Sequence, residues 1–522
     1  MSSQGLLSYA DLKVPGSYIT EGNLGVTSAQ IIDHSTVYMV GRSTVVGAPK
    51  NICYYIESED DFFNVFGDSL SSPSVQLYFD QQPGLGFWFI NVDMRTERTL
   101  SIPTATVGDV FTLTVDGFPL TYTAVLGDNP AKVLIALAGL VNSKMNHVAS
   151  VYGDKLRYLN GKVVTASATI TLGTANTASY PTPFDVIDSL GMALVDNLPC
   201  GFVICPEFYQ SFTSMTDRQA LANGIEGLVS EQKRYWLHLM DCGSEVALAT
   251  GSGGAINLAL LDISGISTPR GHIAYYFPYW INLTGSAVPM SASVAAIAIK
   301  RYRTESFIQP PAGEDYPVRG VTGQSFLVSY NAQAVLNPAN INCGRMLTQQ
   351  VSGGLKQIGV PVIYGARTLS TDLNYRYVIT RVIMNVLENS LRVTLRNVPF
   401  RTIDGVGIQM QRITGLITNV CELLRSMGAL WSQTGAAEGA YLVICNGSNN
   451  SPDMLDQGRP LAQVYVRPAP MIEFLQTIVY RVPLGFDLTS IASEGGSSNN
   501  GAPKDASPPT GTPGTQSTSG KK

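Results

Sequence analysis

The sequence predicts an α+β protein of several domains, in which mixed α/β core domains carry an inserted β-rich module and precede a C-terminal α/β domain. At 522 residues the chain is too long for one hydrophobic core, and a typical size of roughly 100–200 residues per domain predicts about three domains. Short β-type runs alternate with helical windows over most of the chain. In one segment the β-type runs instead follow one another closely, which is typical of a self-contained insertion.

The N-terminal region, residues 14–93, has a mixed α/β pattern. Strong β formers predict strands at 36–40 and 87–92, and Gly/Pro turns follow them. A short helical window lies between them at 59–66. The acidic cluster at 57–61 fits the start of this helix, because carboxylates interact favourably with a helix N-terminus. The cluster lacks the alternating ligands and central glycine of an EF-hand calcium loop.

The inserted module is predicted at residues 100–173. Runs at 110–115 and 120–125 flank Asp116-Gly117, a dipeptide that strongly favours a two-residue hairpin turn. A helix is predicted at 130–142, and further β-type runs follow it. Because these strands pair locally and polar sequence follows them, we interpret the segment as an insertion into a larger domain.

Helical and strand-like pieces alternate again after the insertion. The sequence at 201–206 is typical of a buried strand, and a helix is predicted at 217–228. Residues 291–302 predict a buried helix with cations at its C-terminal end, where the helix dipole favours them. The region 317–486 contains the longest predicted helix, 403–430, together with several strands.

The composition indicates a large assembly. Charged residues make up only 14% of the chain and hydrophobic residues 45%, whereas soluble domains usually contain roughly 25% charged residues. Extensive subunit interfaces explain this, because they bury surface that a monomer keeps polar. There is no uninterrupted apolar run of about eighteen residues, and the N-terminus lacks the features of a signal peptide. We therefore expect neither membrane insertion nor export by a signal peptide.

Charge is distributed unevenly along the chain. Residues 317–486 carry fourteen Lys/Arg against eight Asp/Glu, a net charge of +6, whereas residues 1–315 carry seventeen against twenty-eight, a net charge of −11. This asymmetry indicates self-complementary packing or an acidic partner surface, and uneven but solvated charge is the alternative. The net charge of −5 and the lack of a basic stripe interleaved with aromatic residues disfavour nucleic-acid binding.

The sequence offers few groups for catalysis or for binding a metal. No two of its four histidines stand at i, i+4, and Cys200 and Cys205 lack a second pair that would complete a tetrahedral site. The glycine-rich segment 250–255 lacks the Gly-Lys-Ser/Thr ending of a phosphate loop. The seven cysteines lie mostly in apolar surroundings, which indicates reduced core residues. We expect no catalytic residue, no cofactor and no metal.

Short segments, in one order along the chain, carry a resemblance to a known family. They are residues 14–19, 40–41, 47–51, 61–67, 77–92, 274–278, 288–295, 310–313, 320–321, 336–342, 364–370, 375–378 and 468–482. In this order they resemble the contractile tail sheath family of phages, R-type pyocins and related injection machines. Residues 374–377 and 393–398 depart from the usual pattern of that family.

The resemblance implies a structural protein rather than an enzyme. Sheath subunits are implied to polymerise helically around an inner tail tube and to contract, which drives the tube through a host envelope. The implied partners are further copies of the chain, the tube protein, and baseplate and tail terminator proteins, in a virion assembled in the host cytoplasm. The alternative is the sheath subunit of a type VI secretion or anchored bacterial contractile system. An α/β hydrolase-like enzyme is a remote alternative.

Terminal arms that add strands to a neighbour's sheet belong to the same resemblance. The segments 14–20 and 472–482 fit this role, because they alternate apolar with polar residues at the two ends of the folded chain. Pairing of both segments within their own subunit is the alternative. The predicted arm residues are Val14, Tyr18, Ile19, Ile472, Phe474, Ile478 and Tyr480. Arg412 and Arg425, on the long predicted helix, are the predicted tube-facing residues.

The resemblance and the residue pattern together predict the order of the domains. The tail at the end is rich in Ser, Gly, Pro and Thr and has almost no large apolar side chain, so it is expected to be disordered. The expected order is an N-terminal arm (1–21), a middle domain (22–99 and 174–316) interrupted by the inserted module (100–173), a C-terminal domain that ends in the second arm (317–486), and the tail (487–522).

Overall fold

The computed structural model confirms a mixed α/β fold of several sheets. It describes residues 30–32, 34–177, 179–193, 199–231, 235–249, 252–350, 357–404, 407–432 and 439–477. The strands are β1 (Thr36–Gly41), β2 (Cys53–Ile56), β3 (Phe87–Asn91), β4 (Arg95–Ser101), β5 (Val110–Val115), β6 (Phe118–Thr123), β7 (Ala149–Tyr152), β8 (Lys155–Leu159), β9 (Val164–Ala166), β10 (Thr171–Leu172), β11 (Asn176–Thr177), β12 (Gly201–Ile204), β13 (Trp236–Asp241), β14 (Ile273–Phe277), β15 (Trp280–Asn282), β16 (Ala287–Val288), β17 (Val321–Gln324), β18 (Ile341–Gln350), β19 (Gln357–Tyr364), β20 (Tyr441–Ile444) and β21 (Gln463–Val466). The helices are α1 (Glu59–Phe66), α2 (Ser72–Asp80), α3 (Pro130–Lys144), α4 (Pro183–Ala193), α5 (Pro206–Ser211), α6 (Met215–Glu231), α7 (Ser244–Ala247), α8 (Ser252–Ile263), α9 (Ser291–Thr304), α10 (Tyr330–Leu336), α11 (Val378–Thr394), α12 (Ile408–Ser426) and α13 (Pro452–Asp456).

The central element is an eight-stranded sheet in the order β19-β18-β14-β13-β12-β1-β3-β2. The six strands from β18 to β3 run parallel, and β19 and β2 pair antiparallel at the two edges. Parallel neighbours require crossover connections, and these are usually helices that cover the faces of the sheet. The inner strand β12 is accordingly apolar along its whole length, and all four of its residues are buried.

Two hydrophobic cores lie on opposite faces of this sheet, because successive side chains of a strand point to opposite sides. In β1, Val37 and Met39 belong to the first core, whereas Tyr38 and Val40 belong to the second. Helices α1, α2, α9, α11 and α12 cover the first core, and α4, α5, α6, α8 and α10 cover the second. Full burial of each large apolar side chain contributes about 1.5–3 kcal/mol to folding.

Local signals located many of these elements correctly. The predicted helix 59–66 is α1, and its Ser58 side chain accepts a hydrogen bond from the Asp61 N–H, as expected for a helix cap. The predicted strands 36–40, 87–92 and 201–206 correspond to β1, β3 and β12. The predicted helices 217–228 and 291–302 correspond to α6 and α9.

The segment predicted as an inserted module contains a third hydrophobic core. Strands β5 and β6 form the predicted hairpin, and Asp116 and Gly117 in its turn have positive φ angles of 51° and 82°. Strand β9 completes a three-stranded sheet, and α3 packs on the same core. A second sheet joins β10, β4, β8 and β7, with β11 also paired to β4.

In the C-terminal region, α11 and α12 pack against each other. The long helix predicted at 403–430 is α12, and it is shorter than predicted. Gly407 and Gly428 flank it with φ angles of 82° and 78°, which a continuing helix does not allow. Beyond α12, β20 and β21 form a two-stranded antiparallel ribbon.

The chain divides into two units after Met471. Of the second unit the structure describes residues 472–477, which lie in no helix or strand. None of the helices in the described ranges is long and apolar enough to cross a membrane.

Candidate interaction surfaces

A hydrogen-bonded carboxylate occupies the position at which open parallel sheets usually bind ligands. Such sites lie at the carboxyl ends of the strands where the strand order reverses, and here the order reverses between β1 and β12. Glu207, in the first turn of α5, accepts hydrogen bonds from the Arg42 N–H at 2.9 Å, the Ser71 hydroxyl at 2.6 Å and the Tyr180 hydroxyl at 3.1 Å. Burial raises the pKa of Glu207. Its carboxylate therefore connects α5 to three separate segments of the chain, at Arg42, Ser71 and Tyr180.

A second buried carboxylate, Asp241, ends β13. It accepts hydrogen bonds from the N–H of Ser291, at 2.8 Å, and from the hydroxyl of the same residue. Burial raises the pKa of Asp241 to about 7. The contact attaches the first turn of α9 to the sheet, where a helix has backbone N–H groups without partners.

Two histidines are buried inside the cores and uncharged at neutral pH. Burial lowers the pKa of His34 to about 3 and that of His238 to about 4. The His238 ring lies between the Tyr209 hydroxyl, at 2.7 Å, and the Val203 carbonyl oxygen, at 3.0 Å. His34 Nε2 lies 3.1 Å from the amide nitrogen of Asn385. Among the residues that the structure describes, no cluster of three His, Cys, Asp or Glu could hold a metal ion.

Both predicted tube-facing arginines lie on α12, beside its buried face. Arg412 and Arg425 are half-buried, and thirteen residues separate them, which is about 20 Å along a helix axis. Arg425 Nε donates to Glu422 at 2.8 Å, and Glu422 also accepts a hydrogen bond from the Tyr441 hydroxyl of β20. Arg425 therefore forms an ion pair within the chain. The structure does not bring the two arginines together.

The ribbon of β20 and β21 exposes apolar side chains. Leu442 lies opposite Tyr465, and their exposed fractions are 55% and 53%. Trp431 is half exposed, and the Arg467 guanidinium lies 5.6 Å from the centre of its ring. The other face of the ribbon packs against the first hydrophobic core, and in the described part of the chain β20 and β21 pair only with each other, so that each strand has an outer edge without a partner strand. The ribbon is therefore a candidate acceptor for an added strand.

The predicted arm residues fall only partly within the described ranges. Ile472 and Phe474 belong to the second unit, and their exposed fractions are 81% and 76%. The remaining arm residues, Val14, Tyr18, Ile19, Ile478 and Tyr480, lie outside the described residues. The role of the arms therefore stays a prediction.

Sequence reasoning did not identify the buried carboxylates. A signal was available for Glu207 and Asp241, because each stands at or just after the end of an apolar run that predicts a buried strand. Another signal lies in α4, where Asp185 and Asp188 interrupt an apolar helix at i, i+3 spacing and so share one face. Buried acidic residues of this kind require partners.

The chain is similar in fold to solved sheath structures. No protein-family model matches it, and no curated protein matches it either. A chain from the contracted helical sheath of the anti-feeding prophage matches with a TM-score of 0.55 at 18% identity, over 90% of this chain and 99% of that chain. A chain from the contracted sheath complex of the PVC extracellular contractile injection system matches with a TM-score of 0.53 at 16% identity, over 93% and 99%.

A third match extends the likeness to another assembly of the same machine. A chain from the contracted baseplate structure of the anti-feeding prophage has a TM-score of 0.54 at 16% identity, and the match covers 90% of this chain and all of that chain. The matched chains are thus covered almost from end to end, and the likeness is not confined to one domain. The chain has the fold of sheath proteins from contractile injection systems.

Proposed function

We propose that this chain is a structural subunit of a contractile sheath, which polymerises helically around an inner tube and contracts to drive that tube through a host envelope. The main support is the likeness in fold over nearly the whole length of contracted sheath chains. The collinear sequence segments between residues 14 and 482 support the same proposal independently. The proposed partners are further copies of the chain, the tube, and baseplate and terminator proteins.

The described surface suggests how copies would join. The β20–β21 ribbon offers backbone hydrogen-bonding groups at its edges, and its exposed Leu442 and Tyr465 offer apolar surface. The segment from Ile472 is rich in exposed apolar side chains and lies in no strand in the described range. Addition of that segment to the ribbon of a neighbouring copy would pair the ribbon edge and would place the segment in a strand, because an added strand gains main-chain hydrogen bonds.

Contraction in this proposal is a rigid-body rearrangement of subunits that the arms keep connected. A head-to-tail interface whose rotation does not close produces an open helical filament. The extended lattice would be kinetically trapped and triggered once, so that no nucleotide is required. The basic C-terminal region, with Arg412 and Arg425, would face an acidic tube surface.

Negative-stain electron microscopy of the purified chain tests the proposal. Hollow, striated cylinders are expected as the concentration rises. A chain that stays monodisperse and monomeric at high concentration would contradict the proposal. An obligate second sheath chain in the purified cylinders would instead favour the two-chain sheath of a type VI secretion system.

Three truncations test the arms. Deletion of residues 1–21 or of 472–522 should leave the circular dichroism spectrum of the monomer unchanged and abolish the cylinders. Deletion of 487–522 alone is the matched control, because it removes the polar tail and retains the predicted arm, and cylinders should persist. Normal cylinders from either of the first two truncations would refute strand exchange by that arm.

A further inference from the structure

Four buried charged side chains lie where the inserted module and strand β4 meet the rest of the chain. The hydrophobic core of the module is separate from the two cores of the central sheet. The contact lies on α4, where Asp185 and Asp188 are 1% and 0% exposed. Arg95 on β4 and Arg157 on β8 face them and are 1% and 3% exposed. Burial of four charged groups is costly unless each of them is paired.

Asp188 interacts with three residues of the module and with Arg95 on β4, the strand that leads into the module. Its Oδ1 lies 3.0 Å from His147 Nδ1 and accepts a hydrogen bond from the Tyr152 hydroxyl at 3.1 Å. Its Oδ2 accepts a hydrogen bond from the Ser150 hydroxyl and lies 3.4 Å from Arg95 Nη1. A single carboxylate on α4 is therefore bonded to residues around β4 and β7 at the same time.

Asp185 forms the second part of this contact, one turn earlier on the same face of α4. Its Oδ1 lies 2.5 Å from Arg157 Nη2, and its Oδ2 accepts hydrogen bonds from the N–H and the hydroxyl of Thr182. The other branch of the Arg157 guanidinium lies 2.6 Å from Glu97 on β4. Arg157 thus ties the sheet of the module to the beginning of α4.

The backbone of the module is shaped to fit α4 beside Asp188. Asn146 and His147 have positive φ angles of 43° and 62°, a region that residues other than glycine rarely adopt. Gly191 lies one turn after Asp188, and a Cβ atom at this position would be 2.5 Å from His147 Nε2. Such a backbone conformation persists only where its surroundings determine it strongly.

We propose that α4 and the module form an ionic joint, which fixes the orientation of the module and can open, with local loosening of α4 and β7, while the rest of the module stays folded. A buried ion pair specifies geometry, because moving one partner leaves the other charge buried and uncompensated. Among the described residues, one pair of aromatic rings stacks in the joint. The ring centres of Tyr152 and Phe184 lie 4.2 Å apart, which adds one apolar contact. The module retains its own hydrophobic core when the joint opens, so the free energy of opening comes from the contacts of the joint.

Hydrogen exchange of the monomeric Asp188→Asn variant tests this joint. The substitution keeps the shape of the side chain and removes its charge. Exchange at α4 and β7, and protease cleavage at 92–94 and 179–182, should rise by at least about tenfold. Exchange within the sheet of β5, β6 and β9 should not change.

Asp116→Asn is the matched control, because Asp116 forms an exposed ion pair with Lys162 at 2.6 Å within the same module. Exposed pairs contribute little, so its exchange should change less than about twofold. Ser150→Ala removes one donor to Asp188 and should produce a smaller rise at the same amides, which keeps the test available if Asp188→Asn does not fold. Unchanged exchange at α4, or loss of protection in all of the module's strands together, would overturn the proposal. Because the monomer is measured, failure to form cylinders has no bearing on the result.

Discussion

The eight-stranded sheet and the β20–β21 ribbon differ in how their edges end. At β19, the loop at 313–318 covers the outer edge of the large sheet. The Gly313 N–H donates to the Ile363 carbonyl at 3.0 Å, and the Val318 N–H donates to the Pro361 carbonyl at 2.8 Å. Pro361 has no N–H that could remain unpaired on the outer side of β19, and such a proline is typical of protected edge strands.

Among the described residues, no other segment forms backbone hydrogen bonds with β20 or β21 themselves. Pairing with another segment begins only after β21 ends, where the Trp431 N–H donates to the Arg467 carbonyl at 2.8 Å and the Ala469 N–H donates to the Ala429 carbonyl at 2.8 Å. An exposed apolar pair, Leu442 and Tyr465, lies across the two strands of the ribbon. An exposed strand edge of this kind is a template for pairing with another chain. The chain therefore pairs the edge of its large sheet within the subunit and leaves unpaired the edges of the ribbon through which we propose that it polymerises.

The largest effect on the stability of the single chain is expected in the large sheet. Phe89 in β3 is fully buried, and its ring centre lies 5.0 Å from that of Phe62 and 4.6 Å from that of Phe66. Phe89→Ala should lower the free energy of unfolding by about 3–5 kcal/mol, because it removes apolar contacts and leaves a cavity. Denaturant titration of the monomer, followed by tryptophan fluorescence, measures the change.

The matched control is Tyr465→Ala in the ribbon. Its side chain is 53% exposed, so its loss should change the free energy of unfolding by about 0.5 kcal/mol or less. If both substitutions lowered the free energy of unfolding by the same amount, the ribbon would be as well packed as the large sheet, and the contrast between them would be wrong.

Local sequence predicted the large sheet better than it predicted the open surfaces. The run at 201–206 identifies β12 because a buried parallel strand is apolar on both faces, and Asp116-Gly117 identifies a turn because the geometry is local. Whether a strand such as β20 has a third partner depends on residues elsewhere in the chain, or on another chain. The donors to Asp188 likewise come from residues 36 to 41 positions earlier at His147, Ser150 and Tyr152. No local pattern reports such a pairing.

The next effect depends on pH and again concerns the large sheet. Burial raises the pKa of Asp241 to about 7, above its unfolded value of 3.8. Its protonated form is therefore favoured by folding, so its contribution to stability is complete below pH 3.8 and is lost as the pH rises through about 7. Asp241→Asn is neutral throughout and should reduce the fall in melting temperature between about pH 5 and pH 8. Parallel melting profiles for the two proteins would contradict this assignment.

A smaller effect is expected where the ribbon meets α12. The Tyr441 hydroxyl donates to Glu422, and this hydrogen bond, followed by Arg425, lowers the pKa of Glu422. The site is half-buried, so Tyr441→Phe should lower the free energy of unfolding by about 1 kcal/mol or less. A lowered carboxyl pKa stabilises the fold above the unfolded pKa of 4.5 and loses this contribution as the pH falls. The difference between the variant and the original chain should therefore shrink in acid, whereas Tyr465→Phe should show no such pH dependence.

The smallest effect on the monomer is expected at Leu442, where the effect on assembly should be the greatest. Leu442→Lys places a charge on an exposed strand position, and charged side chains there oppose pairing with another chain. The free energy of unfolding should change by about 0.5 kcal/mol or less, while the cylinders seen by electron microscopy should disappear. Leu126→Lys introduces the same charge at a position that is 90% exposed in the module, and it should leave the cylinders intact. Cylinders from Leu442→Lys would show that copies join through another surface, because a stable monomer that assembles normally has no need of this ribbon edge.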